Sequence, residues 1–244
     1  MEIRKVDKNM VARFLGIKDG NPDEATVRLI ERAEELIKAD AAVSYTYKLF
    51  DFEITEEGVK LMGAGLVLPG NDMKELLKDS TKCIVMCSTI GGEVDTRTRM
   101  LAVKEPALAV VYDAVAGCVA DALCDDIEDE IKKRLPEMEH TFRFSPGYGD
   151  LPLGINEEFL SVINGQKLTG IKITEGGLMT PIKSVSAIFG LVPKKSGSDT
   201  EDEKSKAGPE AYSRQRKRKR CGEPEYCEKC DLKNGCKISP LNNQ

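Results

Sequence analysis

The sequence contains no tryptophan, only six tyrosines and seven phenylalanines, and a single histidine, His140. With so few rings, the chain is poorly supplied for the aromatic stacking that single-stranded nucleic-acid binders use. One histidine excludes a multi-histidine metal site within the chain. A Ser-His-Asp or Cys-His mechanism would have to use His140. The composition therefore argues against nucleic-acid binding and against most hydrolytic chemistry.

Long uninterrupted apolar runs are also missing. The longest apolar stretch, PALAVVYDAVAGCVADAL from Pro106, is broken by Asp113 and Asp121, and the N-terminal residues MEIRKVDKNM have no apolar signal core. This pattern predicts a soluble cytoplasmic protein without a membrane partner. Eight cysteines in a chain without a signal peptide indicate reduced thiols or metal ligands rather than a disulfide framework.

Charge divides the chain into unequal parts. Residues 1–193 carry 23 Lys+Arg against 32 Asp+Glu, whereas residues 194–244 carry 13 against 9. The boundary coincides with a stretch, residues 194–220, that has almost no apolar side chains to offset the entropy of ordering it. We therefore predict a folded domain at 1–193, a flexible charged linker at 194–220 and a small four-cysteine tail at 221–244.

Helical and strand patterns mix within the first 193 residues. Helical spacing of apolar residues predicts an amphipathic helix over 23–43 and a long helix from Pro106 to about Arg134. KCIVMCSTI, residues 82–90, is typical of a strand buried on both faces, and HTFRF and SVSAIFGLV indicate late strands. SYTYKLFDFEI changes parity midway, which suggests a bulge or bend in an edge strand. Because no regular strand-helix repeat is present, we predict a single α+β domain with a mainly antiparallel sheet, plus a C-terminal cysteine knuckle.

The most informative stretch is TFRFSPGYGDLPLGINEEF, residues 141–159, in which a strand carrying Arg143 runs into a turn built on Pro146 and Gly147. An arginine at a strand end beside exposed backbone amides suits a carboxylate, since the guanidinium can bond it in two places. On spacing alone, a surface arginine before an ordinary Pro-Gly turn is the alternative.

Three motifs in this part of the chain together resemble one family. Arg143-x-x-x-Gly147-Tyr148 is similar to the RxxxGY signature of the S-adenosylmethionine-binding activation domain of cobalamin-dependent methionine synthase. Downstream, KITEGGLMTPIKSVSAIFGL resembles the family's KLTES-x-x-M-x-P and SVSGxYF segments. Upstream, STIGGEVD and YDAVAGCVADALCDDIEDEI resemble its TxG turn and its long helix rich in aspartate and alanine. The resemblance covers roughly residues 80–193.

The resemblance implies a role for each residue of the central motif. Arg143 should bind the carboxylate of S-adenosylmethionine, and Ser145 and Gly147 should offer backbone contacts near it. Tyr148 should face the cobalt side of an incoming corrinoid, which makes it the candidate catalytic residue.

The last strand departs from the family pattern. Phe189 and Gly190 stand where the family has an aromatic pair that contacts the nucleoside, so the first ring lacks its hydroxyl and the second ring is lost. No early acidic residue of the family's site has a secure counterpart. Asp113 and Asp121 lie about 80° apart around the predicted long helix. They could line the ligand cleft, or take capping or solvated positions.

The function implied by the resemblance is reactivation of a corrinoid enzyme. The chain has no DxHxxG cobalamin-binding motif, so it would act on cob(II)alamin carried by a separate corrinoid-binding protein, such as a methionine synthase lacking its own activation domain. The reaction also needs a low-potential electron donor. The alternative, from a different class, is a non-catalytic adaptor that docks on a corrinoid or redox partner through the same surface and its metal-binding tail.

Four cysteines cluster in the tail with the spacing C-x5-C-x2-C-x5-C: Cys221, Cys227, Cys230 and Cys236. This pattern predicts a metal site, for which a four-iron four-sulfur cluster, zinc, and disulfides or empty thiols are all open. The preceding run RQRKRKR has no interleaved aromatics, which favours a solvated charge run or a handle for an acidic partner over a nucleic-acid patch. The other four cysteines lie in apolar segments and are predicted to be buried.

Overall fold

The computed structural model describes residues 6–17 and 21–194. The chain divides into two compact units, residues 1–198 and 199–244, and every described residue belongs to the first. Apart from Lys194, the predicted linker and the tail with Cys221, Cys227, Cys230 and Cys236 lie outside the described residues. The domain boundaries and the metal site therefore stay predictions.

Helices and strands alternate irregularly along the described chain. The helices are α1 (Lys8–Phe14), α2 (Glu24–Asp40), α3 (Asn71–Leu77), α4 (Gly92–Lys104), α5 (Pro106–Arg134), α6 (Asn156–Val162) and α7 (Gly165–Thr169). The strands are β1 (Ser44–Phe50), β2 (Phe52–Ile54), β3 (Gly58–Leu61), β4 (Leu66–Pro69), β5 (Lys82–Thr89), β6 (Met138–His140), β7 (Lys172–Ile173), β8 (Met179–Thr180) and β9 (Ser184–Pro193). A 3₁₀ turn, Leu153–Ile155, precedes α6.

The strands form antiparallel sheets. The four-stranded sheet has the order β1-β5-β9-β6, while β2, β3 and β4 form a three-stranded meander. β7 and β8 pair in a small hairpin. The predicted α+β class with a mainly antiparallel sheet and long helices is therefore confirmed in the described part of the chain.

The long helix α5 lies in the core. It begins with Pro106 in its first turn, where a missing N–H costs nothing, and its last turn is basic, which complements the helix dipole. Its length and composition would suffice to cross a membrane, but 67% of its apolar window is buried inside the protein. It packs against α1, α2 and α4 on one side and against β5 and β9 on the other. We therefore interpret it as a core helix.

The central strand β5 is buried on both faces, as its apolar sequence predicted. Ile84 and Met86 belong to the core cluster shared with α5. Cys87 has the opposite parity, and its sulfur lies 3.9 Å from the Thr169 hydroxyl of α7. Alternate side chains of the strand thus meet different layers.

The cysteines of the described domain are free and buried, in agreement with the sequence prediction. Burial raises the pKa of Cys83 to about 12 and the pKa of Cys87, Cys118 and Cys124 to about 11 each. At neutral pH these thiols are protonated, and they act as small apolar side chains.

The parity change near Asp51 marks a change of sheet. β1 is an edge strand of the four-stranded sheet, as expected, but the chain leaves that sheet after Phe50, and β2 pairs with β3 in the meander. The predicted bulge or bend within one strand is therefore replaced by two strands. Phe50, the last residue of β1, is buried, whereas Phe52 of β2 is half-buried and Ile54 is exposed.

Asp40 joins three helices of the core layer. Its carboxylate accepts two hydrogen bonds from Arg97 of α4, at 2.9 and 2.8 Å, and one from the Tyr112 hydroxyl of α5, at 2.9 Å. The Arg97 bonds hold the pKa of Asp40 below its ordinary value, and burial together with Asp40 raises the pKa of Tyr112. This network fixes α2 against α4 and the first half of α5.

Candidate functional site

The segment after β6 is not the regular strand that HTFRF predicted. β6 ends at His140, and the Thr141 N–H still donates to the Gly190 carbonyl at 3.0 Å. Pairing resumes at Phe144, which exchanges two backbone hydrogen bonds of 2.9 Å with Ile188. Phe144 is three residues after Thr141, whereas their partners on β9, Ile188 and Gly190, are two residues apart. This segment therefore contains one extra residue, which is a β-bulge.

The bulge at Phe142 and Arg143 decides which face the Arg143 side chain occupies. In a regular strand His140 and Arg143 would point to opposite faces, because they are three residues apart. Here both side chains approach Glu128 of α5. The extra residue has therefore turned Arg143 toward the helical layer.

Two carboxylates of α5 hold the Arg143 guanidinium. Its Nη1 donates to Asp125 Oδ1 at 2.7 Å and to Glu128 Oε1 at 2.8 Å. The Arg143 and Glu128 side chains are 24% and 13% exposed, whereas Asp125 is 60% exposed, so the pair opens to solvent on the Asp125 side. Within the described residues, Nη2 and Nε of Arg143 make no hydrogen bond, which leaves one edge of the guanidinium for a ligand.

The charges of this cluster shift the pKa values of its members. Burial opposes the charge of Arg143, but Glu128 and Asp125 outweigh it, so the pKa of the guanidinium lies above its ordinary value. Burial raises the pKa of Asp121, one turn earlier on α5, although Arg143 opposes that shift. Arg143 therefore stays charged at any working pH.

His140 lies beneath the cluster and is 8% exposed. Its Nδ1 is 2.9 Å from the Thr141 carbonyl, and its Nε2 is 3.7 Å from Glu128 Oε2. The ring meets Phe189 edge-on, with centroids 5.6 Å apart. His140 thus packs between Phe189 and the Arg143 cluster, on the buried side of that cluster.

The turn after the bulge is closed by backbone hydrogen bonds. The Tyr148 N–H donates to the Ser145 carbonyl at 3.1 Å. The Gly147 N–H donates to the Leu151 carbonyl at 2.9 Å, and the Leu151 N–H donates to the Tyr148 carbonyl at 3.1 Å. Gly147 has a φ of +91°, which favours glycine. The Tyr148 ring is 52% exposed and touches Phe144 edge-on at 6.2 Å. The turn therefore presents Tyr148 to solvent.

Phe189 and Gly190 lie opposite the bulge but are not exposed. The Phe189 ring is 0% exposed and belongs to the core cluster beneath α5. Gly190 faces the other side, where a Cβ would lie 2.0 Å from the Ser80 hydroxyl and 2.8 Å from Leu77. A side chain at Gly190 would therefore require Ser80 and the end of the Leu77 side chain to shift. The predicted nucleoside contacts of these two residues stay predictions.

The acidic residues of α5 divide between two surroundings. Asp113 is half-exposed and bonds Lys183 Nζ at 2.9 Å, whereas Asp121 lies within the electrostatic reach of Arg143. Sequence reasoning did not single out Asp125 and Glu128. The signal for them was their three-residue spacing in DDIEDEI, which puts two carboxylates on one face of a helix.

Known proteins were compared with the chain and its fold. No protein-family model matches, and no curated protein matches. A solved structure shares the fold with a TM-score of 0.59 and 17% sequence identity, over 87% of this chain and 81% of the matched chain. The described domain therefore has the fold of a reactivation domain. The matched structure is the MetH reactivation domain bound to AdoHcy. The fold that the sequence resemblance implied is confirmed.

Proposed function

We propose that this chain binds S-adenosylmethionine and supports reductive methylation of cob(II)alamin on a separate corrinoid protein. The observation that carries the proposal is the fold shared with a reactivation domain bound to AdoHcy, the thioether that remains when S-adenosylmethionine gives up its methyl group. Arg143, Gly147 and Tyr148 keep the RxxxGY spacing across the bulge and the turn. A cytoplasmic methionine synthase without its own activation domain is a suitable partner.

The polar cluster suits the amino-acid end of S-adenosylmethionine. The unbonded edge of Arg143 can bond a carboxylate in two places, which is the strongest geometry that a guanidinium offers. Asp125 is the most exposed acid of the cluster and can accept hydrogen bonds from an ammonium group. A zwitterion would thus meet a charge of the opposite sign at each end. We propose Ser145 and Gly147 as backbone contacts, and Phe189 and Gly190 as the β9 positions nearest the nucleoside.

The bound substrates supply the chemistry. One electron from a low-potential donor converts cob(II)alamin to cob(I)alamin, whose electron pair forms the cobalt–carbon bond to the methyl group as the carbon–sulfur pair returns to sulfur. No general base is needed. The protein would contribute the alignment of the methyl donor with cobalt. Tyr148, exposed at the tip of its turn, would lie against the corrinoid.

The first prediction tests this reaction. A corrinoid protein mixed with this chain, S-adenosylmethionine and a strong reductant should pass from the cob(II)alamin to the methylcobalamin absorption spectrum. Loss of one hydrogen bond costs about 0.5 to 1.5 kcal/mol, so Tyr148→Phe should slow the conversion about 2- to 10-fold and leave S-adenosylmethionine affinity nearly unchanged.

Controls without the chain and without S-adenosylmethionine should show no conversion. If S-adenosylmethionine binds but no corrinoid protein of the same cell is methylated, the reactivation function is wrong, and the adaptor function takes its place.

The second prediction concerns the tail and rests on the spacing of its four cysteines alone. We propose that Cys221, Cys227, Cys230 and Cys236 bind a metal, because four thiolates in a 16-residue window match the ligand set of an iron-sulfur cluster or zinc. A cluster would supply the low-potential electron. Metal analysis and electron paramagnetic resonance after anaerobic purification should find about four irons per chain. Stoichiometric zinc without iron would eliminate the electron-relay role. If the protein contains neither iron nor zinc, the proposed metal site is wrong.

A further inference from the structure

Two turns that are distant in sequence lock onto each other beside Tyr148. The Asp150 carboxylate accepts the backbone N–H of Asn71 at 2.7 Å and that of Asp72 at 3.2 Å, at the start of α3. In return, Asp72 Oδ2 accepts the Asp150 N–H at 3.2 Å. Asp72 is 3% exposed, whereas Asn71 and Asp150 are exposed, so the Asp72 side of this exchange is shielded from water and the Asp150 side faces the solvent.

The lock depends on a close approach of backbone at two glycines. A Cβ on Gly149 would lie 2.0 Å from Asp72 Oδ2, and a Cβ on Gly70 would lie 2.3 Å from Asp150 Oδ1. Both glycines have positive φ, +53° and +99°, a region that side chains disfavour. Gly149 thus leaves room for the Asp72 carboxylate, and Gly70 leaves room for the Asp150 carboxylate.

Besides the backbone hydrogen bonds of its turn and the edge-on contact with Phe144, Tyr148 has flexible neighbours on both sides. It stands between Gly147 and Gly149, the two residues with the greatest backbone freedom, and half of its ring is exposed. We propose that Asp150 and Asp72 are positioning residues that hold the turn so that the Tyr148 hydroxyl faces the corrinoid. This inference rests on the proposed function and adds residues to it that touch neither substrate.

The experiment compares Asp150→Ala, Asp150→Asn and wild type in methylation rate and in S-adenosylmethionine affinity. Asp150→Ala should slow the reaction about 2- to 10-fold, as Tyr148→Phe does, with affinity within about threefold of wild type. Asparagine has one acceptor oxygen in place of two, so it can keep the 2.7 Å bond from Asn71 but can accept the Asp72 N–H only over the longer 3.4 Å contact. Asp150→Asn should therefore restore part of the rate and lie between Asp150→Ala and wild type. A rate for Asp150→Ala equal to wild type overturns the proposal.

A matched control removes the same chemistry elsewhere. Asp23 caps α2 by accepting the Thr26 N–H at 2.7 Å, so Asp23→Ala removes a comparable cap without touching the turn. It should leave rate and affinity unchanged. The double variant Asp150→Ala with Tyr148→Phe should be no slower than the slower single variant. If the two losses multiply instead, Asp150 acts independently of Tyr148, and the proposal is wrong.

Hydrogen exchange separates this inference from the proposed function. The amides of Gly147 and Leu151 should exchange faster in Asp150→Ala than in wild type, and not in Asp23→Ala. Unchanged exchange would overturn the positioning role even in a protein that methylates no corrinoid. Faster exchange in a protein that binds no S-adenosylmethionine would uphold the lock and reject the reaction it serves.

Discussion

Replacing Arg143 by alanine should weaken S-adenosylmethionine binding by about 30-fold or more. Removing one side of a buried charged contact typically costs about 2 to 5 kcal/mol, and the lower figure is about 30-fold in affinity. Arg143 is three-quarters buried and already faces Asp125 and Glu128. Alanine would leave these two carboxylates unopposed beside the carboxylate of the ligand, so repulsion adds to the lost attraction.

Calorimetry on wild type, Arg143→Ala and Arg143→Lys can measure the effect. Lysine keeps the charge but not the two-pronged geometry, so its affinity should be intermediate. Arg97→Ala is the matched control, because it also removes an arginine from a carboxylate. Its partner is Asp40, whose carboxylate also accepts the Tyr112 hydroxyl. Tyr112 is 13 residues before Asp125 on α5, about 20 Å along the helix, so the control lies away from the Arg143 cluster. Equal affinities in wild type and Arg143→Ala would contradict the site assignment.

Replacing Phe189 by alanine should destabilise the domain by about 3 to 5 kcal/mol, because the ring is fully buried and alanine would leave a cavity beneath α5. A ring that mainly contacted the nucleoside would behave differently. Its removal would lower affinity and leave the free energy of unfolding nearly unchanged. The experiment therefore separates a core ring from a ligand contact.

Urea unfolding measures the loss, and the half-exposed Phe14 provides a matched control, since Phe14→Ala should cost less than about 1 kcal/mol. Phe189→Leu, which fills most of the cavity, should lose less stability than Phe189→Ala. A stable Phe189→Ala protein with much weaker S-adenosylmethionine binding would show that the ring reaches the ligand.

The sequence was most informative where one element carries its own pattern. α2 was predicted from apolar residues at helical spacing, and its buried side chains, Ile30, Ala33 and Ile37, follow that spacing. α5 begins at Pro106 as predicted, and β5 is buried on both faces. These features follow from periodicity and capping within a single segment.

Features that depend on contacts between two distant segments could not be predicted from the sequence. The bulge at Arg143 exists only relative to the register of β9, and no local pattern signals an extra residue. The absence of a side chain at Gly190 has a packing reason, the Ser80 hydroxyl, which is 110 residues away in the chain. Asp125 and Glu128 were not predicted as site residues, because an acidic helical face is usually exposed to solvent. Their partner became identifiable only after the bulge had turned Arg143 inward.

Burial of the domain's four thiols has a practical consequence for labelling. A protonated thiol is a poor nucleophile, and Cys83, Cys87, Cys118 and Cys124 are also shielded from reagent, so alkylating agents should modify them only after unfolding. Any cysteine that reacts rapidly in the native protein then belongs to Cys221, Cys227, Cys230 or Cys236. Mass spectrometry of the alkylated native protein, with and without a chelator, can therefore count how many of these four cysteines react and can test whether a metal protects them.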